Sequence, residues 1–429
     1  MGGSAQYDVI VIGGGASGLA AALSAARSGA KTAILERDVA CGIKLLATGN
    51  GRCNLSNSSL SPEHYTHPDF VAEVMGKTPE ADLERFFDSV GIYTAQEDGR
   101  LYPYSRRAES VRDALLDACD RCGIDLLCNT KVVRASHDGS TWTLDVERPS
   151  QMPRIKPQRD RKSEFRAQRK AVAAARRIVA SYRADSLILA TGGDPSDIAE
   201  LFDLPLTPCR PVLCPIAGNV MGAEHALRDL NGQRVQGRLT LQRGPQTIWS
   251  EEGEVLFRPY GISGVAAFNL SRRIAPGDTI SLDLFPQMET SDLIALLKRR
   301  ETLLGTFSPS DPTWFDGLLT PSLAHTVCEL FVANHPESTD VAHVVSICKH
   351  LKMGVQGTAD ESSAQVTRGG IPVASISPTT LAYRGENASD LFLCGEAIDV
   401  DADCGGFNLA WAWRSGLRAG RSAARKRTA

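Results

Sequence analysis

YDVIVIGGGASGLAAALSAARSGAKTAILE, residues 7–36, decides how the rest of the chain is read. The run Val9-Ile10-Val11-Ile12 is short, apolar and rich in β-branched residues, as expected of a strand buried on both faces. Gly13-Gly14-Gly15-Ala16-Ser17-Gly18 follows in the spacing G-x-G-x-x-G. A small-residue helix over about 15–28, stopped by Gly29, and a second strand over 31–35 ending on Glu36 complete the unit. Gly13 permits a tight turn, and Gly15 lets backbone approach a pyrophosphate. Gly18, Ala22 and Ala26 let the helix lie close on the sheet. The helix start, with Ala16 and Ser17, offers unpaired N–H groups to phosphate. Glu36 lies where a carboxylate accepts from both ribose hydroxyls and disfavours a 2′-phosphate. The fold class is therefore α/β, with a Rossmann-type dinucleotide site. The motif alone does not separate FAD from NAD; its position at the N-terminal end of the chain suits FAD.

Length and composition bound the rest. The 429 residues suffice for two or three domains. The net charge of −3 argues against a chain built as a whole for nucleic acid. No signal peptide is expected ahead of the first strand, residues 1–6 being a short polar lead, and no stretch reads as a membrane span. The eleven scattered cysteines fit reduced thiols in a cytoplasmic protein. Cys41 and Cys53 are spaced too widely for a C-x4-C redox pair, and Cys119-x-x-Cys122 lacks a second ligand pair for metal.

Further along, Thr48-Gly49-Asn50-Gly51-Arg52-Cys53-Asn54 reads as a glycine-rich loop with donors aimed at a ligand. Helices are expected over 70–90 and 110–122, the latter with Ser110 as N-cap, and strands over 124–127, 131–135 and 141–146. Residues 148–177 carry eleven Lys/Arg against two acids. They read as a mobile basic insertion at the tip of a β-meander, with a helix possible over 165–177; a solvated loop or a docking face for an anionic partner both fit. Strand-like stretches at 178–182 and 186–189 follow, the latter closed by Ala190-Thr191-Gly192-Gly193. Strands at 239–241, 247–249, 255–257 and 279–284 suggest a small β-barrel, and 291–352 is mainly helical.

The chain closes with a buried strand, Leu391–Cys394, then Gly395-Glu396 and the run Asp399 to Asn408, leading into a helix over 409–420. Glu396 is placed to hold ribityl or ribose hydroxyls. The helix start near Gly405 would face the flavin edge where negative charge gathers on reduction. Asp399-x-Asp401-x-Asp403 is loosely EF-hand-like, but no Glu stands at the twelfth position, so no metal is expected.

Together these motifs resemble the BaiN-like flavoproteins, which include dehydro-bile-acid reductase-like and aminoacetone-oxidase-like enzymes. The resemblance rests on the N-terminal glycine motif, KLLATGNGRCN (44–54), ATGG (190–193), residues 256–264, TRGGI (367–371) and GEAIDVDADCGGFNLAWAW (395–413). It implies an FAD-binding domain assembled from both chain ends (1–207 and 353–429), a β-barrel substrate domain (208–290) and a helical domain (291–352). By analogy Gly13, Gly15, Gly18, Glu36, Lys44, Arg52, Glu396, Asp399, Gly406, Phe407 and Asn408 surround FAD. Motif and resemblance together add Ala16, Ser17, Arg37, Asn50, Gly51, Cys53, Asn54, Val133, Ala190, Thr191, Gly192, Gly395 and Gly405. The family pattern T-H-x-G-x-S-G-P reads here Arg258-Pro259-Tyr260-Gly261-Ile262-Ser263-Gly264-Val265, without the histidine. The glycine-rich segment and G-H pair that usually follow A-T-G-G are absent from 194–206.

The implied chemistry is hydride transfer through flavin N5, with a small-molecule substrate and NADH or NADPH as donor. No second G-x-G-x-x-G is present to hold the nicotinamide. Tyr260 is the expected proton donor and Arg258 an anion stabiliser; barrel packing is the other reading of both. The leading expectation is a reductase of a conjugated carbonyl compound. An oxidase of a small amine such as aminoacetone, an RNA-modifying flavoprotein using the basic insertion, and a non-catalytic flavin-binding module are the alternatives.

Overall fold

Val9, Ile10 and Val11 expose no surface because their strand, Ala5–Ile12, is paired on both sides and covered on both faces. It runs parallel to Thr32–Leu35 and parallel to Arg177–Leu189. A central strand needs apolar side chains in both directions, which gives a continuous run in place of alternation. The computed structural model describes residues 5–359, 364–385 and 390–425; the first four residues of the polar lead lie outside this set. The chain forms two compact units, residues 1–210 with 366–429 and residues 211–365.

In the first unit a seven-stranded sheet continues from Thr32–Leu35 to Asp125–Leu127 on one side. On the other side Arg177–Leu189 changes partners along its length. Its early part pairs antiparallel with Trp142–Pro149, and Leu187–Leu189 pair in parallel with Leu391–Leu393. The two stretches read separately from sequence are thus one strand. That switch draws the end of the chain into the sheet begun by its first strand. Helix Phe407–Arg425 then packs along helix Ala16–Arg27. The two approach so closely that a Cβ on Gly416 would strike the Ser17 carbonyl, and one on Gly420 the Ala21 carbonyl.

Local chemistry moves several boundaries. The helical stretch 70–90 is two helices, Pro68–Met75 and Pro79–Ser89, broken where Gly76 takes φ 79° and Pro79 restarts the helix. Ser110 is not an N-cap: the helix begins at Ala108, and the Ser110 hydroxyl donates to the Arg107 carbonyl.

The basic insertion lies between the paired strands Trp142–Pro149 and Arg177–Leu189, and it is not simply a loop. Helix Arg161–Ala173 starts under an Asp160 cap, whose carboxylate accepts from Ser163 N–H at 2.8 Å. Arg169 forms a two-pronged bond to Asp38 (2.8 and 2.6 Å), and Arg161 another to Asp113 (3.0 and 3.1 Å). The Arg112 guanidinium lies 5.5 Å from the Phe165 ring centre, and Val172 is buried. Phe165 and Val172, seven apart, share the face that seats the helix. Exposed ion pairs contribute about 0–1 kcal/mol each. Deleting residues 150–176 and closing the strands with a short turn is therefore expected to keep the fold and bound flavin, as checked by thermal melting and flavin absorbance.

The second unit is a closed six-stranded barrel. Its closing strand, Leu351–Thr358, pairs with both Ile216–Val220 and Thr279–Asp283. The expected boundary at 353 therefore runs through a barrel strand, and those pairings carry it to 365/366. The helices Thr290–Leu304, Pro321–Asn334 and Val341–Lys349 share one hydrophobic cluster with the barrel and do not form a core of their own. Three of the expected barrel strands are parts of one long hairpin, Arg234–Arg243 with Gln246–Arg258: 239–241 lies in the first arm, and 247–249 and 255–257 in the second.

Candidate cofactor site

The glycine loop is shaped by close backbone approach. Gly13 takes φ 108°, and a Cβ there would lie 2.6 Å from the Ala190 carbonyl oxygen. Gly14 backs onto Cys41, whose Sγ would be 2.5 Å from an added Cβ. Gly15 differs: a Cβ there would meet no protein atom within 4 Å, and its φ of −78° suits any residue. The glycine assigned to the pyrophosphate is thus the one whose side-chain space the protein leaves open. The Glu36 carboxylate accepts from Gly14 N–H (2.6 Å) through Oε2 and from Asp38 N–H (2.7 Å) through Oε1. Both bonds fix its direction, and each oxygen keeps a second lone pair for a ribose hydroxyl. Arg37 beside it is exposed.

Across the sheet, Ala190 N–H bonds the Ile12 carbonyl (2.9 Å), so the A-T-G-G segment leaves the sheet beside the glycine loop. Glu396 reaches this point from the far end of the chain and accepts from Gly193 N–H at 2.9 Å; Lys44 Nζ stands 3.8 Å from the same oxygen. A Cβ on Gly192 would lie 2.8 Å from Glu396, and Gly395, at φ 67°, has no room for one against Ser17 at the helix start. Loop 48–54 holds Gly49, Asn50 and Cys53 at positive φ, and Trp413 Nε1 donates to the Leu55 carbonyl at 3.0 Å. Burial pushes the Cys53 thiol up to about 11, which keeps it neutral.

Among the described residues, Asn54 Oδ1 and Thr191 Oγ1 are buried without a hydrogen-bond partner. Buried polar atoms are normally satisfied. Two such atoms on segments already assigned to cofactor binding, with the open space at Gly15, fit a polar dinucleotide.

Other expected contacts are engaged within the protein. Asn408 bonds Ala402 through both side-chain atoms at 2.9 Å, so it fastens the 399–408 loop. Phe407 is buried, stacked on His64 at 4.1 Å and edge-on to Tyr65. Arg52 bonds Glu97 at 2.6 Å and lies over the Tyr102 ring at 4.2 Å. Gly405 and Gly406 take φ 132° and 99°, letting the chain pass close to Asn57 and Ser56. Val133, 38% exposed, sits at a bulge in strand Lys131–His137. Asp399, Asp401 and Asp403 do not converge. Asp399 accepts from Gly369 N–H, Asp401 is paired with Arg368 at 2.8 and 2.9 Å, and Asp403 faces His64. Sequence reading missed His64, Tyr65, Thr66 and His67, which together seat the C-terminal loop; Thr66 N–H donates to the Asp401 carbonyl at 2.9 Å. No motif marks them, because the partners lie more than 300 residues away. Tyr260 and Arg258 belong to the other unit, at an exposed two-residue turn in the barrel.

This arrangement is that of a Rossmann-type flavin-binding protein in which both ends of the chain enter one sheet. The model of the HI0933-like protein Rossmann domain matches residues 7–422, and the chain belongs to that family. It is 30% identical to a 3-dehydro-bile acid delta(4,6)-reductase from Clostridium scindens, over 97% of this chain and 98% of that one. It is 27% identical to a ribosomal RNA dihydrouridine synthase from Haemophilus influenzae, over 96% and 97%. Among solved structures, a 3-ketosteroid-delta4-(5alpha)-dehydrogenase from Rhodococcus jostii aligns over 98% of this chain and 97% of its own, with a TM-score of 0.44 and 14% identity. The chain is an FAD-dependent oxidoreductase. No helix among the described residues is long and apolar enough to cross a membrane.

Glu36→Ala is expected to weaken FAD binding by about 1.5–3 kcal/mol, the contribution of a hydrogen bond to a charged group. Fluorescence titration of apoprotein with FAD measures it, and an unchanged dissociation constant would remove Glu36 from the ribose.

Proposed function

We propose that the protein reduces a carbon–carbon double bond conjugated to a carbonyl, with NADH or NADPH as the electron source. One observation carries the reading. The two relatives are named for the same transformation on different molecules: a 3-keto-conjugated diene in one, the uracil 5,6-double bond in the other. Each acceptor has a β-carbon able to take hydride and a carbonyl able to hold the resulting charge.

Bound FAD supplies hydride from N5 of its reduced ring. The chain's own groups supply position and charge. Gly15 would leave backbone room for the pyrophosphate, and Glu36 would hold the adenosine ribose. Glu396, Thr191 and Asn54 would supply polar contacts to the flavin end of the cofactor, with Lys44 adding positive charge beside Glu396. Tyr260 would be the proton donor to the α-carbon and Arg258 the group that stabilises the developing enolate.

The test is anaerobic. NADH and NADPH are compared for bleaching of the bound flavin, and the bleached protein is mixed with a steroid 4-en-3-one or with unmodified ribosomal RNA. Return of flavin colour with an enone supports the reading. If only an amine bleaches the flavin, and only oxygen restores it, the protein is an oxidase.

A second reading, in which the acceptor is a uridine in RNA, has its own support in the exposed side chains of Arg154, Lys156, Lys162, Arg166 and Lys170 on the insertion. It predicts RNA binding that weakens steeply with salt.

A further inference from the structure

We propose that Cys41 and Cys128 are a modification site: hydrogen peroxide converts them to a reversible disulfide that reshapes the floor of the glycine loop and weakens FAD binding. Spacing argues against a Cys41–Cys53 pair, but the fold brings Cys41 to Cys128, 87 residues away, with the two Sγ atoms 3.8 Å apart. A disulfide needs sulfurs about 2.05 Å apart, so the pair closes with a movement of under about 2 Å. Both residues lie in turns outside the regular sheet, where such a movement is least opposed. Cys128 follows strand Asp125–Leu127 and precedes Asn129, which takes φ 55°. Cys41 is held by its carbonyl, which accepts from Arg112 Nε at 2.8 Å.

The two thiols are chemically unequal. Cys128 is partly exposed, and its thiol is held below its usual range, first by the hydrogen bond from Cys41 and in smaller part by nearby Arg112, against burial and the Glu36 carboxylate. Cys41 is buried and pushed far up by that same bond and by burial. Cys128 is thus the attacking group and Cys41 the resolving one. The Cys128 thiolate forms an S–O bond as the peroxide O–O bond breaks, and the departing hydroxide takes up a proton to become water. Cys41 sulfur then attacks Cys128 sulfur. The S–S bond forms, the S–O bond breaks, and the hydroxyl leaves as water with the Cys41 proton. Two thiols lose two electrons and one peroxide becomes two waters. By contrast, burial pushes Cys119, Cys348 and Cys394 each up to about 12, which keeps them neutral.

The connection to the cofactor is the contact of Cys41 with Gly14. Its Sγ occupies the space behind that residue, and Gly42 N–H bonds the Gly14 carbonyl at 2.8 Å. Drawing the sulfur toward Cys128 withdraws that support. This consequence rests on the FAD reading; the disulfide itself does not.

FAD-loaded protein is treated with hydrogen peroxide, quenched with catalase, alkylated and digested. The expected result is a Cys41–Cys128 linked peptide, an intact mass lower by about 2 Da for the two hydrogens lost, and reversal by dithiothreitol. Cys41→Ser should leave a dimedone-reactive sulfenic acid on Cys128, and Cys128→Ser should leave Cys41 unoxidised. Alkylation of both cysteines after peroxide, with no linked peptide, overturns the site. A linked peptide with FAD affinity unchanged, where a several-fold weakening is expected, overturns the coupling alone.

Discussion

Gly15→Val is expected to give a folded, colourless protein. The structure separates the motif's glycines by what they serve. Valine at Gly13 would meet the Ala190 carbonyl at a positive φ and so damage the fold. Valine at Gly15 meets no protein atom within 4 Å of its Cβ, at a φ it adopts freely. Only a ligand in that space is displaced. Overfilling an occupied site costs about 1–3 kcal/mol, and a lost hydrogen bond to a charged phosphate about 1.5–3 more. Together these predict FAD affinity lower by roughly 10²–10⁴-fold. Apoprotein melting temperature and far-ultraviolet circular dichroism should match the parent. Flavin retained at parental affinity would place the dinucleotide elsewhere.

Arg368→Ala is expected to produce the largest loss of stability among single changes near the site. Asp401 is buried at 1% exposure and is met by Arg368 in a two-pronged bond. Removing one partner of a buried ion pair costs about 3–5 kcal/mol, because the remaining charge stays desolvated. Thermal melting should fall by roughly 6–20 °C, taking about 2–4 °C per kcal/mol for a domain of this size. Combining Arg368→Ala with Asp401→Asn should recover part of the loss, since the stranded charge is gone. A single variant that melts with the parent would show that Asp401 is relieved by other groups.

The parts of this molecule legible in sequence are those whose reasons are local. Val9 to Ile12, the glycine spacing and Glu36 fall within one strand–helix–strand unit, and each requires its residue type whatever lies elsewhere. The Gly395-Glu396 end of the chain was legible because it repeats that logic. The rest depends on partners distant in sequence. Asn408 reads as a cofactor ligand until the fold shows both its polar atoms bound to Ala402. Arg52 sits in a ligand-like loop, yet a hairpin some 45 residues on supplies Glu97 and Tyr102 to hold it. The basic insertion looks solvated by composition, and only Asp38 and Asp113 on other segments reveal its seat. The barrel's closing strand falls outside the expected barrel domain because its two pairing partners lie some 70 and 135 residues upstream. By spacing Cys41 is compared with Cys53, yet the fold sets it against Cys128, 87 residues away.

The measurement that bears most directly on the account follows both reactants in one experiment. Protein with its FAD reduced anaerobically is mixed with a conjugated enone or with uridine-containing RNA, while flavin absorbance is recorded and the acceptor is weighed by mass spectrometry. The account predicts that flavin colour returns as an equal amount of one acceptor gains about 2 Da, the hydride and proton of a reduced double bond. A reduced flavin that leaves every conjugated acceptor unchanged, yet is reoxidised by oxygen after reduction by a small amine, would contradict it.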